Sequence, residues 1–199
     1  MRITDDRYAR DRLRHDLALR LIQHEARTRT IRRWTGLTDD RIRKLYRSYV
    51  VESGRPDVRR HRGKSPEQSA FFMRNASIRR EAAGLAAHFC LLGLLRRDGR
   101  EASGAIDYLR FGEKFCVAYE TFLNIYERPE ISFEHACHLF RLLEKQNEIS
   151  LDECAGCGSL LVAMLYAERP RACEFCATNR PPSRRTATAS TSVPKLSPS

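Results

Sequence analysis

Four cysteines near the C-terminus carry the clearest chemistry in this chain. Cys154 and Cys157 form one C-x-x-C pair, and Cys173 and Cys176 form a second pair after 15 intervening residues. Two residues between cysteines let both sulfurs face one ion, and a linker of this length lets the chain fold back to supply the second pair. The pattern predicts a closed site of four thiolates, the type that holds structural zinc. Four thiolates also suit an iron–sulfur cluster, which is the main alternative.

The same pattern argues against catalysis at these cysteines. A closed tetrahedron leaves no coordination position for a substrate or a reactive water. A redox dithiol would need a C-x-x-C beside a βαβ unit, and the sequence has no sign of one. A zinc deaminase would need an H-x-E segment, which the chain lacks. We therefore expect a protein that is not an enzyme, with one structural Zn²⁺ as its cofactor.

The residues between the two cysteine pairs suggest how the site is built. An apolar run at 160–166 is followed by a polar turn that contains Pro170. This order suits a β-hairpin with one cysteine knuckle at each end, as in a zinc ribbon. Gly156 and Gly158 allow the tight backbone that a knuckle needs. We assign residues 149–180 to a four-cysteine zinc-ribbon-like module.

Positive charge is concentrated in the first third of the chain. The 199 residues include 36 Lys plus Arg and 25 Asp plus Glu, a net charge of +11. Residues 1–64 carry a net +10 and residues 65–199 carry +1, and most of the excess is arginine. The guanidinium fork matches phosphate oxygens and the guanine edge. This footprint favours a nucleic-acid partner over the alternative of a solvated basic face.

A helix-turn-helix-like pattern overlaps this basic segment. An amphipathic helix is predicted over about residues 5–25, and residues 28–47 suggest two short helices joined by a turn at Gly36. Thr38 is a suitable N-cap for the second helix, whose inner face would be apolar. Its outer faces carry the cations that we expect to contact DNA: Arg41, Arg43, Lys44 and Arg47. An ordinary helical hairpin on a basic surface would give the same pattern.

A basic loop bounded by Gly and Pro follows at residues 54–64. It has no apolar periodicity, and we expect it to be an exposed arm along the phosphate backbone. The DNA contacts predicted from it are Arg59, Arg60, Arg62 and Lys64. A disordered linker is the alternative, and both descriptions hold if the arm becomes ordered on binding.

The fold predicted from these patterns is mainly α. Residues 1–64 form the basic helix-turn-helix-like region with its arm, and residues 65–148 form a helical core. Within the core, helices are expected at 65–95, 103–126 and 132–146, with Ser65, Ser103 and Ser132 as their N-caps. Pro66 lies in the first turn of the first helix, and Asp98-Gly99 is expected to stop it. The zinc module follows at 149–180. The tail at 181–199 is rich in Ser, Thr, Ala and Pro, and we expect it to be disordered.

The composition indicates a protein without a membrane anchor. No apolar run reaches the 18 or so residues that a spanning helix needs. The N-terminus lacks the apolar stretch of a secretory signal, so we expect a cytoplasmic protein. In that reducing compartment, paired C-x-x-C motifs favour metal binding over disulfides.

Several of these runs resemble one known family. The C-A-G-C-G run at 154–158, the C-E-F-C run at 173–176 and the P-P-S-R run at 181–184 are similar to the C-terminus of FlhC. FlhC is a subunit of the bacterial flagellar transcriptional activator. The L-T-D-D-R-I-R-K-L-Y run at 37–46 also resembles the N-terminal region of that family. The similarity keeps its order from roughly residue 20 to residue 185.

The resemblance implies a mostly helical zinc protein with Cys154, Cys157, Cys173 and Cys176 as the ligands. It also implies a hetero-oligomer with FlhD that binds flagellar promoter DNA largely through this subunit and recruits RNA polymerase. The expected function is therefore a DNA-binding activator subunit. The alternative is an RNA-binding or other nucleic-acid-binding zinc-ribbon protein, because basic charge and a zinc ribbon serve RNA equally well.

Overall fold

The computed structural model describes residues 3–52, 58–61, 63–98, 107–166 and 172–179. These residues form mostly α-helix and one small two-stranded sheet, so the predicted mainly-α class is confirmed. Arg62, the predicted cap Ser103 and the predicted tail at 181–199 lie outside the described residues. Within those ranges, no helix has both the length and the hydropathy that a membrane span requires.

Three helices begin the fold: α1 (Ile3–Gln23), α2 (Thr28–Thr35) and α3 (Asp39–Tyr46). The turn between α2 and α3 has the predicted chemistry. Gly36 has a left-handed backbone (φ 69°) and closes α2, and the Thr38 side chain accepts a hydrogen bond from the backbone N–H of Arg41. A π-helical turn (Arg47–Glu52) continues the chain beyond α3. The three helices pack on one another.

The apolar face of the amphipathic helix predicted for α1 is buried along only half of its length. Leu17, Leu21 and Ile22 are fully buried against the rest of the molecule. Tyr8 and Leu13 belong to the same predicted stripe, yet they are 74% and 54% exposed. The C-terminal half of α1 is therefore part of the core, and the N-terminal half projects beyond it.

The next helix starts ten residues later than predicted. Ser65 is not an N-cap, because its hydroxyl donates to Oε2 of Glu134 (3.1 Å) on a distant element. A short 3₁₀ turn (Ser69–Met73) places Phe72 in the core, and α4 (Ala76–Leu91) begins only after it. The Asn75 side chain is the true cap and accepts from the backbone N–H of Ile78 (2.8 Å). A tertiary contact thus replaced a favourable local start signal.

The same helix ends earlier than predicted, at a glycine. The backbone N–H of Leu94 donates to the carbonyl of Phe89 (2.8 Å), and that of Gly93 donates to the carbonyl of Cys90 (3.1 Å). This pair of bonds is a Schellman motif, which requires a left-handed residue between helix and exit. Gly93 takes that conformation (φ 66°). The stop predicted at Asp98-Gly99 was therefore wrong.

Two further helices complete the core. Helix α5 (Tyr108–Ile125) begins after Asp107, and α6 (Phe133–Lys145) begins after Ser132, which caps it as predicted. Phe115 is buried at the centre of an aromatic cluster, with its ring centroid 4.9 Å from both Trp34 and Phe89. Trp34 belongs to α2, so the basic N-terminal helices and the helical core share one apolar interior.

The C-terminal module is a hairpin followed by a short helix. Strands β1 (Ile149–Glu153) and β2 (Leu160–Met164) pair antiparallel, and Ile149 lies opposite Met164. Helix α7 (Glu174–Thr178) follows. The predicted ribbon placed both strands between the cysteine pairs. In the structure the partner of β2 comes from residues before the first pair, because Ile149 at its start is fully buried in the core.

Candidate metal centre and basic surface

The four predicted ligands converge on one point. The sulfurs of Cys154, Cys157, Cys173 and Cys176 all lie within 4.8 Å of one another. The Cys157 and Cys173 sulfurs are 3.7 Å apart. A regular tetrahedron with metal–sulfur bonds of about 2.3 Å has sulfurs about 3.8 Å apart. The donor set and its spacing therefore fit a single metal ion. Among the described residues, this is the only such group of His, Cys, Asp and Glu side chains.

Each cysteine pair is positioned by a different local structure. Cys154 follows β1 directly, and its backbone N–H donates to the carbonyl of Ser159 (2.8 Å), which closes the knuckle at the tip of the hairpin. Cys173 is the N-cap of α7, and its sulfur accepts from the backbone N–H of Cys176 (3.4 Å). The second pair thus sits on a helix start, not on a second hairpin end.

Glycine is required at the centre of the first knuckle. A Cβ atom on Gly156 would lie 2.9 Å from the Cys176 sulfur, closer than real Cβ atoms approach. Gly158 has a left-handed backbone (φ 70°) as the chain leaves the knuckle. Both glycines were predicted from the sequence, and the structure gives each a physical reason.

The backbone favours negative charge on the first sulfur. The pKa of the Cys154 thiol is lowered to about 6, chiefly because the backbone N–H of Cys173 donates to its sulfur (3.2 Å). The Ser159 hydroxyl contacts the Cys157 sulfur (3.2 Å) and lowers the pKa of that thiol as well. The pKa of Cys176 rises to about 12 because its sulfur shares hydrogen bonds with Cys173 and Cys157. Such a cluster attracts a cation, which displaces the remaining thiol protons.

The metal module is attached to the helical core. Strand β2 packs on α4 and β1 packs on α6, with Val162 and Ala163 buried. Glu174 of α7 forms ion pairs with Arg79 (3.3 Å) and Arg80 (3.8 Å) of α4. Closing the four-cysteine site therefore fixes α7 and β2 on one face of α4.

The other cysteines and histidines lie away from this centre. Cys116 and Cys137 are buried, and burial raises the pKa of the Cys116 thiol to about 12. His138 is also buried, and desolvation lowers its pKa. His135 stacks on Phe71, with ring centroids 4.1 Å apart. Their surroundings are those of packed side chains.

The cations predicted on α3 face solvent. Ile42 is buried and Leu45 and Tyr46 are half-buried. The predicted contact residues of this helix and the following turn are all exposed: Arg41, Arg43, Lys44 and Arg47. Within the helix, Arg43 donates to Asp40 (2.8 Å).

The turn before α3 is bridged by an ion pair. Arg32 of α2 reaches Asp39 in the first turn of α3 (3.5 Å). Similar motifs usually have a small residue at the position of Arg32, and here its long side chain leaves the interface and spans the turn.

The arm is anchored next to α3 at several points. Tyr46 of α3 donates its hydroxyl proton to the carbonyl of Val58 (2.8 Å), and the Arg60 guanidinium lies over the Tyr46 ring, 5.6 Å from its centroid. The two carboxylate oxygens of Glu25 contact the backbone N–H of Arg59 (3.0 Å) and Nε2 of His61 (2.7 Å). The exposed side chains of Arg59 and Arg60 are thus held beside α3, and Lys64 is exposed further along the arm.

A second carboxylate, Glu134 in the first turn of α6, anchors the end of the arm. It is only 5% exposed, and its Oε1 accepts from the backbone N–H of Arg27 (2.9 Å) and from the hydroxyl of Thr30 (2.8 Å). Its Oε2 accepts from Ser65 (3.1 Å). Arg27 in turn donates to the carbonyl of Gly63 (2.7 Å). One buried carboxylate therefore joins α2, α6 and the arm.

Sequence reasoning missed both carboxylates. Each acts over more than 30 positions along the chain, so no local spacing signals it. A partial signal exists at Glu25, where the chain takes a left-handed backbone (φ 58°) at the end of α1. Glu134 is in the first turn of a helix, where a carboxylate is ordinary, and its burial could be found only from the fold.

Comparison with known proteins adds no family assignment. The chain matches no protein-family model, and no curated protein sequence matches it. The function of the chain is therefore inferred from its own side chains.

Proposed function

We propose that this chain is the DNA-binding subunit of a transcriptional activator of the FlhC type, acting with an FlhD-like subunit to switch on flagellar genes. The observation that carries the proposal is the row of exposed cations on α3 with the basic arm anchored beside it. In this proposal the protein is not an enzyme, works in the cytoplasm and contacts RNA polymerase. These last assignments rest on the sequence and the resemblance.

The dimensions and charges of α3 suit the major groove. Eight helical residues span about 12 Å, and an α-helix of ordinary diameter fits a groove about 12 Å wide. Asp40 is engaged by Arg43, and Asp39 is engaged by Arg32. Arg41, Lys44 and Arg47 have no ion-pair partner among the described residues. These three cations are therefore the ones available to phosphate oxygens and base edges.

A structural Zn²⁺ is the metal that we propose for the four-cysteine site. A cluster of several iron and sulfide ions would hold its thiolates further apart than a single ion does. The 3.7 Å separation of the Cys157 and Cys173 sulfurs favours one tetrahedral ion. Elemental analysis of the purified chain should give about one zinc per chain. Iron in its place, with visible absorbance, would overturn the assignment.

The DNA proposal is tested by the salt dependence of binding. Anisotropy of labelled duplex DNA gives the affinity of the full chain at several salt concentrations. Replacing Arg41, Lys44 and Arg47 by glutamine should reduce the slope of log affinity against log salt by about 2 to 3, since each lost phosphate contact removes about 0.9. The control replaces three exposed arginines elsewhere: Arg74, Arg96 and Arg128.

Two outcomes would contradict the assignment. An unchanged slope in the α3 variant would remove α3 from the DNA interface. Equal or tighter binding of a structured RNA hairpin would favour the alternative function, an RNA-binding zinc protein. Co-expression with the FlhD-like protein of the same genome tests the partner, because the proposal requires that the two proteins purify together.

A further inference from the structure

A second basic feature of the molecule is a cleft where three helices meet. The N-terminal half of α1, the end of α2 and the start of α5 enclose about 690 Å³. This volume is within the range of small-molecule sites. The cleft shares no residue with α3 or with residues 58–64, so its role is independent of the DNA contacts proposed for them.

Guanidinium groups dominate the charge of this cleft. Four arginines line it: Arg10, Arg14, Arg33 and Arg110. Two carboxylates, Asp107 and Glu113, also line it, and both are engaged. Asp107 accepts from the backbone N–H of Leu109 (3.1 Å), and Glu113 accepts from Arg20 (2.5 Å). The charge balance therefore favours an anionic ligand.

Two of the four arginines are available to such a ligand. Arg33 and Arg110 are exposed and have no ion-pair partner among the described residues. Arg14 is partly engaged by Asp11 (3.3 Å) on its own helix. An arginine fork binds phosphate oxygens through two parallel hydrogen bonds, which makes Arg33 and Arg110 the principal anion contacts.

Aromatic and apolar side chains complete the cleft. Tyr108 is 44% exposed and presents a ring on which a planar base can stack. Leu13 also lines the cleft and is 54% exposed. Trp34 also lines the cleft, and most of its ring is buried against the core. Cations beside an exposed aromatic ring match a phosphate attached to a base.

We propose that this cleft binds a nucleotide, with Arg33 and Arg110 on its phosphate and Tyr108 against its base. The phosphate has two sources with the same chemistry: a free nucleotide, or a nucleotide within a single strand. The experiment distinguishes them by the probe that binds.

Trp34 makes the cleft directly measurable, because it is the only tryptophan of the chain. Its fluorescence is titrated with ATP, with a 5′-phosphorylated single-stranded oligonucleotide and with sodium phosphate at matched ionic strength. Saturable change with ATP identifies a free nucleotide as the ligand class. Saturable change with the oligonucleotide alone identifies a strand. No saturable change with either nucleotide probe overturns the proposal.

Variants distinguish binding in the cleft from non-specific attraction of the probe to positive charge. Replacing Arg33 and Arg110 by alanine should weaken binding of the active probe at least about tenfold, because two charge-assisted contacts are lost. Replacing Arg12 and Arg128, two exposed arginines outside the cleft, removes the same charge and should leave the affinity within about twofold. Equal weakening by both pairs overturns the proposal.

Three further single-site variants keep the proposal testable if the double variant fails to fold. Arg110→Glu reverses one charge at an exposed position and should abolish binding while circular dichroism stays unchanged. Tyr108→Phe should retain binding and Tyr108→Ala should weaken it, since the ring and not its hydroxyl supplies the stacking surface. Full affinity in Arg110→Glu with an intact helical spectrum contradicts the assignment.

Discussion

The metal centre and the basic surface are built in opposite ways. Each cysteine pair is positioned by a short local turn, closed by the Cys154 N–H bond to the Ser159 carbonyl in the first pair and by the Cys176 N–H bond to the Cys173 sulfur in the second. The cations beside α3 are exposed, and their arm is held by Glu25 and Glu134 from other elements. Local geometry therefore defines the first region, and tertiary anchoring defines the second.

The two regions also pack on different parts of the core. The metal module rests on α4 and α6, whereas α3 rests on α1 and α2. Loss of metal should therefore unfold the C-terminal module first, and loss of an arm anchor should loosen the basic surface first.

The largest effect is expected at the metal ligands. Cys154→Ala removes the most buried of the four sulfurs, and a site with three thiolates should hold far less metal, falling from about one ion per chain towards zero. Amide exchange in β1 and β2 should become fast because the module has little core of its own. Elemental analysis and hydrogen exchange measure the two effects.

A matched cysteine provides the control for that experiment. Cys90 is a half-buried thiol outside the site, and Cys90→Ala should keep the metal and the slow exchange of β1 and β2. Full metal content in Cys154→Ala would show that the four sulfurs do not act as one site.

Features with a local cause were predictable from the sequence. The cysteine spacing predicted which four sulfurs converge, and Gly36, Thr38 and Ser132 were identified correctly as helix-end residues. Each of these signals acts within about four residues of the chain. Each C-x-x-C pair belongs to the same category, because a turn of a few residues positions its two sulfurs. The two pairs meet through the Cys173 N–H and the Cys154 sulfur, which are 19 positions apart.

Features with a distant cause were not predictable. Ser65 has the sequence signature of an N-cap, yet its hydroxyl donates a hydrogen bond to Glu134, which is 69 positions away. The partner strand of β2 was missed because β1 is selected by the burial of Ile149 in the core. The anchoring of the arm was missed for the same reason. A local sequence pattern shows which secondary structure a segment favours. Which side chains bind that segment depends on residues that only the fold brings close.

The next largest effect is expected at the buried anchor of the basic surface. Glu134→Ala leaves the donors of Arg27, Thr30 and Ser65 without their shared acceptor. Unmatched buried donors should lower the free energy of unfolding by about 2 to 4 kcal/mol. Urea denaturation measures this change.

An exposed glutamate serves as the comparison for Glu134. Glu127→Ala should change the free energy of unfolding by less than about 0.5 kcal/mol. The metal content should stay near one ion per chain in both variants, since neither residue contacts the metal module. Metal loss in Glu134→Ala would mean that the two regions are not separate.

A smaller effect is expected at the exposed anchor. Glu25→Ala removes the acceptor for Arg59 and His61, and a partly exposed pair of this kind contributes about 0.5 kcal/mol to stability. The arm should nevertheless become more open, and proteolysis between residues 58 and 64 should be faster. Glu67→Ala, an exposed neighbour in the following loop, should leave the cleavage rate unchanged. Equal rates in Glu25→Ala and the unmodified chain would remove Glu25 as an anchor.

We propose that DNA is contacted by the basic surface and that the metal centre has a structural role away from it. Hydrogen exchange of the full chain, with and without duplex DNA, tests this claim directly. We predict that DNA binding slows amide exchange in α3 and in residues 58–64 and leaves the exchange of β1 and β2 unchanged. Slower exchange in β1, β2 and α7 with no change in α3 would contradict it.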